Sequence, residues 1–78
     1  SQPTLSCSLQ NNSICSTIEN VIIELTSQNK NMGFICKKII NILKDSNYSA
    51  SEAYPIYVYF SKKYKLIQLN GISFNNIY

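Results

Sequence analysis

Residues 60–78, FSKKYKLIQLNGISFNNIY, place the pair Asn70-Gly71 between two apolar segments. Asn-Gly is the strongest short signal for a β-hairpin, because both residues of the tight turn must tolerate positive φ. With a two-residue turn, the apolar side chains of the ribbon all face one side. These side chains are Ile67, Leu69, Ile72 and Phe74. The sequence therefore predicts a C-terminal hairpin with one buried face.

The length and composition predict one small domain. The chain has 78 residues, 45% of them hydrophobic, and a formal net charge of +3. A chain of this size forms a core of modest stability, and its hydrophobic content is too high for a disordered protein. No apolar run approaches the roughly 20 residues of a membrane span, so no membrane partner is expected. We expect a flexible polar linker or arm over residues 1–12 and a folded domain over residues 13–78.

A first helix is predicted to begin near Ser13–Ser16. Ser16 and Glu19 have the spacing of a capping box, in which each side chain bonds the other residue's backbone N–H. Apolar residues then recur at helical spacing and form one stripe. They are Ile14, Ile18, Val21, Ile22 and Leu25. The polar segment of residues 27–33 ends this pattern.

A second helix is predicted from about Ile35 to Lys44, after a short apolar strand at Phe34 and Ile35. Its apolar side chains again recur at helical spacing. They are Ile39, Ile40, Ile42 and Leu43. No Ser, Thr or Asp caps the predicted start, which is unusual for a helix.

The third segment, SEAYPIYVYFSKKYK, is ambiguous by propensity, since its β-branched and aromatic residues favour a strand. A strand here would be apolar on both faces, so a helix fits better. Pro55 is tolerated if it lies in the first turn, where its missing N–H is harmless. Ser51 or Tyr54 would then be the cap, and Ile56 and Phe60 would face the core.

The predicted order is helix, short strand, helix, helix, hairpin. This order is typical of the winged helix-turn-helix, an α+β fold with three helices and a C-terminal β-hairpin wing. The helices enclose a small core, and the wing covers its open side.

The cysteines and acids predict no catalytic or metal chemistry. Cys7, Cys15 and Cys36 form no Cys-x-x-Cys pair and the chain has no histidine, so no zinc site is expected. We expect the cysteines to be reduced thiols of an intracellular protein. The four acids form no evident pair and there is no Gly-rich phosphate loop. We therefore expect no enzyme, no catalytic residues, no metal and no cofactor. The acids are Glu19, Glu24, Asp45 and Glu52.

Three lysines, Lys62, Lys63 and Lys65, form an elbow between the third helix and the hairpin. They suit a solvated helix end, an acidic partner helix, or phosphate. All seven basic residues are lysines, and the absence of arginine argues against reading of DNA bases.

Residues 20–43, NVIIELTSQNKNMGFICKKIINIL, resemble the C-terminal winged-helix domain of the middle subunit of replication protein A. The shared pattern is an aliphatic helix, a polar loop, Gly33 with the large apolar Phe34, and a second helix ending in Leu43. The likeness extends over residues 14–78. Telomeric relatives of that subunit carry similar domains.

The resemblance implies a docking module that binds a helical segment of another replication, repair or telomere protein. It implies a nuclear location and further subunits of a single-stranded-DNA-binding complex as partners. The elbow and wing of this family are acidic, whereas this elbow is basic, so either the partner is acidic or the binding face has changed. The partner-binding residues implied are Lys63, Lys65, Ile67, Gln68, Asn70, Ile72 and Phe74.

We therefore predict a protein–protein docking module of a single-stranded-DNA-binding complex in replication, repair or telomere maintenance. The alternative is a winged-helix DNA-binding domain that contacts phosphates through Lys62, Lys63 and Lys65. Three phosphate contacts would give weak, salt-sensitive binding to DNA. A third possibility is a fixed structural contact inside a larger assembly.

Overall fold

The computed structural model describes residues 12–66 and 70–78, with only the backbone described at residues 12 and 70–73. This part of the chain forms four α-helices and contains no strand. Of the predicted arm only Asn12 is described, as the first residue of the first helix. The helices are α1 (Asn12–Ser27), α2 (Met32–Asp45), α3 (Ala50–Lys63) and α4 (Asn70–Ile77).

Helix α2 is central and packs against each of the other three helices. Its buried side chains are Ile35, Cys36, Ile39, Ile40 and Leu43. Helix α1 adds Ile18, Ile22 and Leu25, and α3 adds Ile56, Tyr57 and Phe60. The apolar stripes predicted for the first two helices and the core side of the third are therefore confirmed. Burial of these faces is the main source of helix stability in so small a domain.

Two N-caps begin helices earlier than the sequence pattern predicted. The Asn31 side-chain oxygen accepts the Phe34 N–H at 2.8 Å and starts α2, so the predicted strand at residues 34–35 is wrong. Ser49 and Glu52 form the capping box of α3, with bonds of 3.2 and 3.0 Å. The caps predicted at Ser51 and Tyr54 are therefore wrong.

Two further local predictions differ from the structure. Ser16 lies inside α1 and not at its start, so it is not an N-cap. Pro55 is the sixth residue of α3, beyond the first turn in which it was expected. There the proline cannot donate the backbone bond that the helix normally makes at this position. The buried residues on either side, Ala53 and Ile56, hold the helix in place.

Helices α1, α2 and α3 end in the same way, each with one residue in the left-handed region. These residues are Asn29 (φ 61), Asn47 (φ 67) and Lys65 (φ 60), at equal intervals of 18 residues. After α1, the Lys30 N–H bonds the Leu25 carbonyl and the Asn29 N–H bonds the Thr26 carbonyl, both at 3.0 Å. This pair of bonds defines the Schellman motif. The corresponding bonds follow α2 and α3.

The predicted wing is wrong. Asn70 and Gly71 are the first residues of α4, and no strand occurs in residues 12–66 or 70–78. Phe74 explains the difference, because it is only 5% exposed and lies in an aromatic cluster. Its ring centroid is 4.7 Å from that of Tyr78, 4.9 Å from Tyr54 and 5.7 Å from Tyr57. Ile67 and Leu69, which were predicted to lie on the buried face of the hairpin before its turn, are outside the described residues.

The described fold is therefore an all-helical globule, and the predicted α+β winged helix-turn-helix is corrected. Burying an aromatic ring against other rings stabilises α4 more than the local turn preference of Asn-Gly favours a hairpin. Polar contacts also hold the end of α4 to the core. Lys44 Nζ donates to the Ile77 carbonyl at 2.9 Å, and the Tyr78 hydroxyl donates to the Tyr48 carbonyl at 3.0 Å.

Candidate functional site

Lys63, the middle lysine of the predicted elbow, is engaged within the fold. Its Nζ lies 2.6 Å from Oε2 of Glu19, and the Tyr64 hydroxyl donates to the same oxygen at 2.5 Å. The ammonium also lies over the rings of Tyr59 and Tyr64, at 5.9 and 5.7 Å from their centroids. Lys63 thus links α3 to α1, and a ligand that bound it would compete with these contacts.

The interactions within this cluster keep each group in its usual protonation state near neutral pH. The hydrogen bond from Lys63, followed by the one from Tyr64, lowers the pKa of Glu19. The bond to Glu19 is in turn the main cause that raises the pKa of Lys63 and the pKa of Tyr64. At neutral pH the cluster is a carboxylate held by one ammonium and one neutral phenol.

Lys62 and Lys65 are exposed, and within the described residues neither contacts a carboxylate. Lys62 lies in the last turn of α3, where a cation suits the helix dipole. Lys65 is the left-handed residue that ends α3. Of the three lysines predicted to touch phosphate, two therefore form no ion pair among the described residues.

Among the predicted wing residues, Phe74 is the one whose side chain the structure describes. Phe74 is buried in the aromatic cluster, so a partner cannot reach it while α4 is in place. Ile67 and Gln68 lie outside the described residues. Asn70 and Ile72 belong to α4, and their side chains are likewise outside the described set.

The sequence reasoning missed a second basic surface, on the solvent side of α2. Phe34 is 43% exposed, and Lys30 Nζ lies over its ring at 5.3 Å from the centroid. Lys37, Lys38 and Asn41 are three, four and seven residues further on, and all are exposed. Residues at these spacings lie on one face of a helix. We call these five residues the α2 face.

A signal for the α2 face was present in the sequence. Phe34, Lys37 and Lys38 have the i, i+3, i+4 spacing that places side chains together on a helix surface. This spacing was not interpreted as a helical face, because Phe34 was expected to belong to a strand. The Asn31 cap, which shows that the helix begins before Phe34, was also overlooked.

Glu19 and Glu52 are held by short hydrogen bonds within the fold, whereas Glu24 and Asp45 are exposed and form no ion pair among the described residues. Glu19 is bound by Lys63 and Tyr64, and Glu52 by the Ser49 N–H and hydroxyl. These bonds to Ser49 lower the pKa of Glu52. Among the described residues, Lys63 is the one lysine of seven that forms an ion pair. The accessible, uncompensated charge on this surface is therefore mainly positive.

The two described cysteines differ in chemistry. Cys36 is a buried free thiol whose Sγ lies 3.6 Å from the Leu66 carbonyl oxygen, and burial raises its pKa. A buried thiol with a raised pKa is a poor nucleophile. Cys15 is disulfide-bonded, so the expectation that it is a reduced thiol is wrong. Its partner lies outside the described residues, since Cys36 is free.

Residues 12–66 and 70–78 contain neither a metal-ligand cluster nor a membrane-spanning helix. No group of three or more His, Cys, Asp or Glu side chains there could hold a metal ion. None of the helices described is long and apolar enough to cross a membrane.

Comparison of the chain with family models, with curated proteins and with solved structures finds no significant match. The resemblance to replication protein A therefore stays a prediction made from the sequence, and its wing is absent from the described fold.

Proposed function

We propose that this chain is a small docking domain that binds an acidic helical segment of another protein. One observation carries the proposal: one of the seven lysines is neutralised in an ion pair among the described residues, and most of the others are exposed, so positive charge predominates on the described surface. Lys30, Lys37, Lys38, Lys62 and Lys65 are exposed and meet no carboxylate among the described residues. Such an arrangement attracts an acidic partner and speeds its encounter with the domain.

Apolar surface supports a protein partner. Ile23, Met32, Phe34 and Tyr54 are between 38% and 55% exposed, although large apolar side chains are usually buried. Phenylalanine, tyrosine and methionine are enriched in protein interfaces. A partner with both acidic and apolar side chains would satisfy the lysines and these residues together.

DNA is the less suitable partner. All the basic residues are lysines, and arginine is the residue best suited to bind phosphate and guanine in two-bond geometry. Lys63, one of the three predicted phosphate contacts, is neutralised by Glu19. The wing that the DNA-binding alternative included is absent from the described residues, because residues 70–77 form α4.

The docking role implied by the resemblance to replication protein A is part of this proposal, because the exposed lysines and apolar side chains support it. Membership of a single-stranded-DNA-binding complex and a nuclear location stay predictions from that resemblance alone. The disulfide at Cys15 is typical of proteins from oxidising compartments, which a nuclear location does not predict.

A pair of peptide libraries tests the proposal. Both contain amphipathic helical peptides with the same set of apolar faces, and the polar face is Glu and Asp in one library and Lys in the other. We expect the full chain to bind members of the acidic library in fluorescence polarisation, and to bind them more weakly at high salt.

Two results would overturn the proposal. One is that no acidic peptide binds, or that the lysine peptides bind equally well. The other is that duplex or single-stranded oligonucleotides bind more tightly than every acidic peptide, with a steep dependence on salt. The second result would replace protein docking with nucleic-acid binding.

A further inference from the structure

We infer that the α2 face is the docking surface, and that an acidic amphipathic helix lies along α2 with an apolar pocket over Phe34. This inference rests on the proposed function, and it assigns a surface and a partner geometry that the predicted elbow and wing did not include.

The α2 face has the geometry of a helix-packing ridge. The ridge runs along the helix for about 10 Å from Phe34 to Asn41, which is seven residues at 1.5 Å each. Lys37 and Lys38 lie between these two residues. Ridges of this spacing pack into the groove of a second helix. The opposite side of α2 is filled, since its buried residues already pack against the other three helices. The α2 face is the side of this central helix left for a partner.

Phe34 supplies the apolar anchor. Its neighbours Ile35 and Cys36 are buried, which fixes the helix beneath it. The Asn31 cap fixes its backbone N–H at 2.8 Å. An aromatic residue held by a rigid backbone loses little entropy on binding, and such residues dominate the energy of protein interfaces.

The charges around Phe34 select the partner. Lys30 covers one side of the ring, and Lys37 and Lys38 lie one turn further along the helix. The two α2 lysines form no ion pair within the described chain. A partner helix with Glu or Asp flanking an apolar position would meet all three ammonium groups. A basic partner would be repelled by them.

A nucleic-acid strand and a membrane fit this surface less well. Binding of a single strand needs a groove that follows the nucleic-acid backbone, whereas this surface is the convex side of a helix. Anchoring in a membrane needs a broad apolar face, whereas the α2 face carries one apolar side chain among polar ones.

Two matched double variants test the assignment with the tightest-binding acidic peptide. Lys37→Glu/Lys38→Glu reverses two charges on the α2 face, and Lys62→Glu/Lys65→Glu makes the same change in net charge at the elbow. We expect the first variant and Phe34→Ala each to raise Kd by about tenfold or more, as hot-spot changes do. The elbow variant should raise Kd by less than about threefold, as expected of a charge outside the contact. Circular dichroism of each variant checks that the helices are retained.

Chemical shifts give an independent measurement on the unaltered chain. In ¹⁵N-correlated spectra, the peptide should shift the amides around Phe34, Lys37, Lys38 and Asn41 and leave those around Lys62 unchanged. If both double variants weaken binding equally, or if the shifts cluster at the elbow, the α2 assignment is overturned and the docking function stands. If no acidic peptide binds the unaltered chain, the docking function itself fails.

The same variants distinguish other occupants. Phosphatidylserine vesicles and a single-stranded thymidine oligonucleotide are titrated in parallel with the peptide. Tighter binding of either one, lost in Phe34→Ala and in Lys37→Glu/Lys38→Glu, would overturn the choice of a protein helix.

Discussion

Glu19 and Lys63 are 44 residues apart in the chain, and their side chains form an ion pair of 2.6 Å between Oε2 and Nζ. The contact joins the middle of α1 to the last turn of α3, and Tyr64 donates to the same oxygen. A polar cluster on the surface thus links two helices of the core. It also removes one carboxylate and one lysine from the charge that a partner meets.

Glu19→Gln should reduce stability in a pH-dependent way. Folding lowers the pKa of Glu19 below its usual 4.5, so its contribution is present above that value and is lost as pH falls through the folded-state pKa. Urea denaturation should show the variant less stable than the wild type at neutral pH, with the two converging in acid. The effect should be small, since both side chains are partly exposed. Glu24→Gln, on an α1 carboxylate that meets no lysine, is the control, and an equal gap in both would contradict the prediction.

Ser61→Ala should stabilise the protein. Ser61 is fully buried in α3, and its Oγ has no hydrogen-bond partner among the described residues. A buried hydroxyl without a partner is destabilising, so its removal should raise the free energy of unfolding by about 1 kcal/mol. Ser16→Ala, at an exposed position of α1, measures the part of the gain that comes from helix propensity alone. A loss of stability in Ser61→Ala would show that the hydroxyl is bonded.

Lys65→Gly should also stabilise the protein. Lys65 ends α3 at φ 60, a region that glycine adopts without the steric cost of a side chain. We expect the free energy of unfolding to rise by about 0.5–1 kcal/mol. Lys62→Gly removes the same charge from inside the helix and should instead lower stability by about 1 kcal/mol. Equal effects in the two variants, measured by urea denaturation, would contradict a left-handed residue 65.

Gly71→Ala separates the helix from the hairpin that the sequence predicted. In a tight hairpin turn this glycine needs positive φ, and alanine would be destabilising. Within α4, alanine is the better helix former and should raise the free energy of unfolding by up to about 1 kcal/mol. Thermal denaturation followed by circular dichroism measures the difference. A clear loss of stability would favour the turn and contradict α4.

Cys36 should react slowly with thiol reagents in the native protein. Burial shields it from reagents and raises its pKa, which lowers the reactive thiolate fraction. Alkylation followed by peptide mapping should label Cys36 only after the chain is denatured, and Cys15 only after a reductant is added as well. Labelling of Cys15 without a reductant would contradict its disulfide.

The sequence pattern predicted the first two helices because their apolar residues recur at helical spacing, and the third because a strand there would be apolar on both faces. It failed at their starts, although Asn31 and the Ser49–Glu52 box are local signals that could have been identified. It also failed to show that asparagines 29 and 47 are left-handed helix ends, a role that asparagine tolerates better than most residues. All of these features follow from residue types close to the helix ends.

The secondary structure of the C-terminal segment could not be predicted from local sequence signals. Asn70-Gly71 favours a turn, and the low helix propensities of asparagine, glycine and serine offer α4 little support. Phe74 decides the structure by packing against Tyr54 and Tyr57, which precede it by 20 and 17 residues. Only the assembled core creates that contact. The candidate site changed for the same reason, because Phe74 is buried and Lys63 is engaged, whereas Phe34, Lys37 and Lys38 are exposed.

The arrangement of the four helices has a consequence for the order in which the chain assembles. Helices α1, α2 and α3 are joined by short turns, so neighbours can pair early, while they are still close in sequence. Helix α4 returns to α2, and the bond from Tyr78 to Tyr48 spans 30 residues. We expect the transition state of folding to contain the three paired helices, with α4 packing against them afterwards. Substitutions in α4 should then accelerate unfolding and leave the refolding rate nearly unchanged.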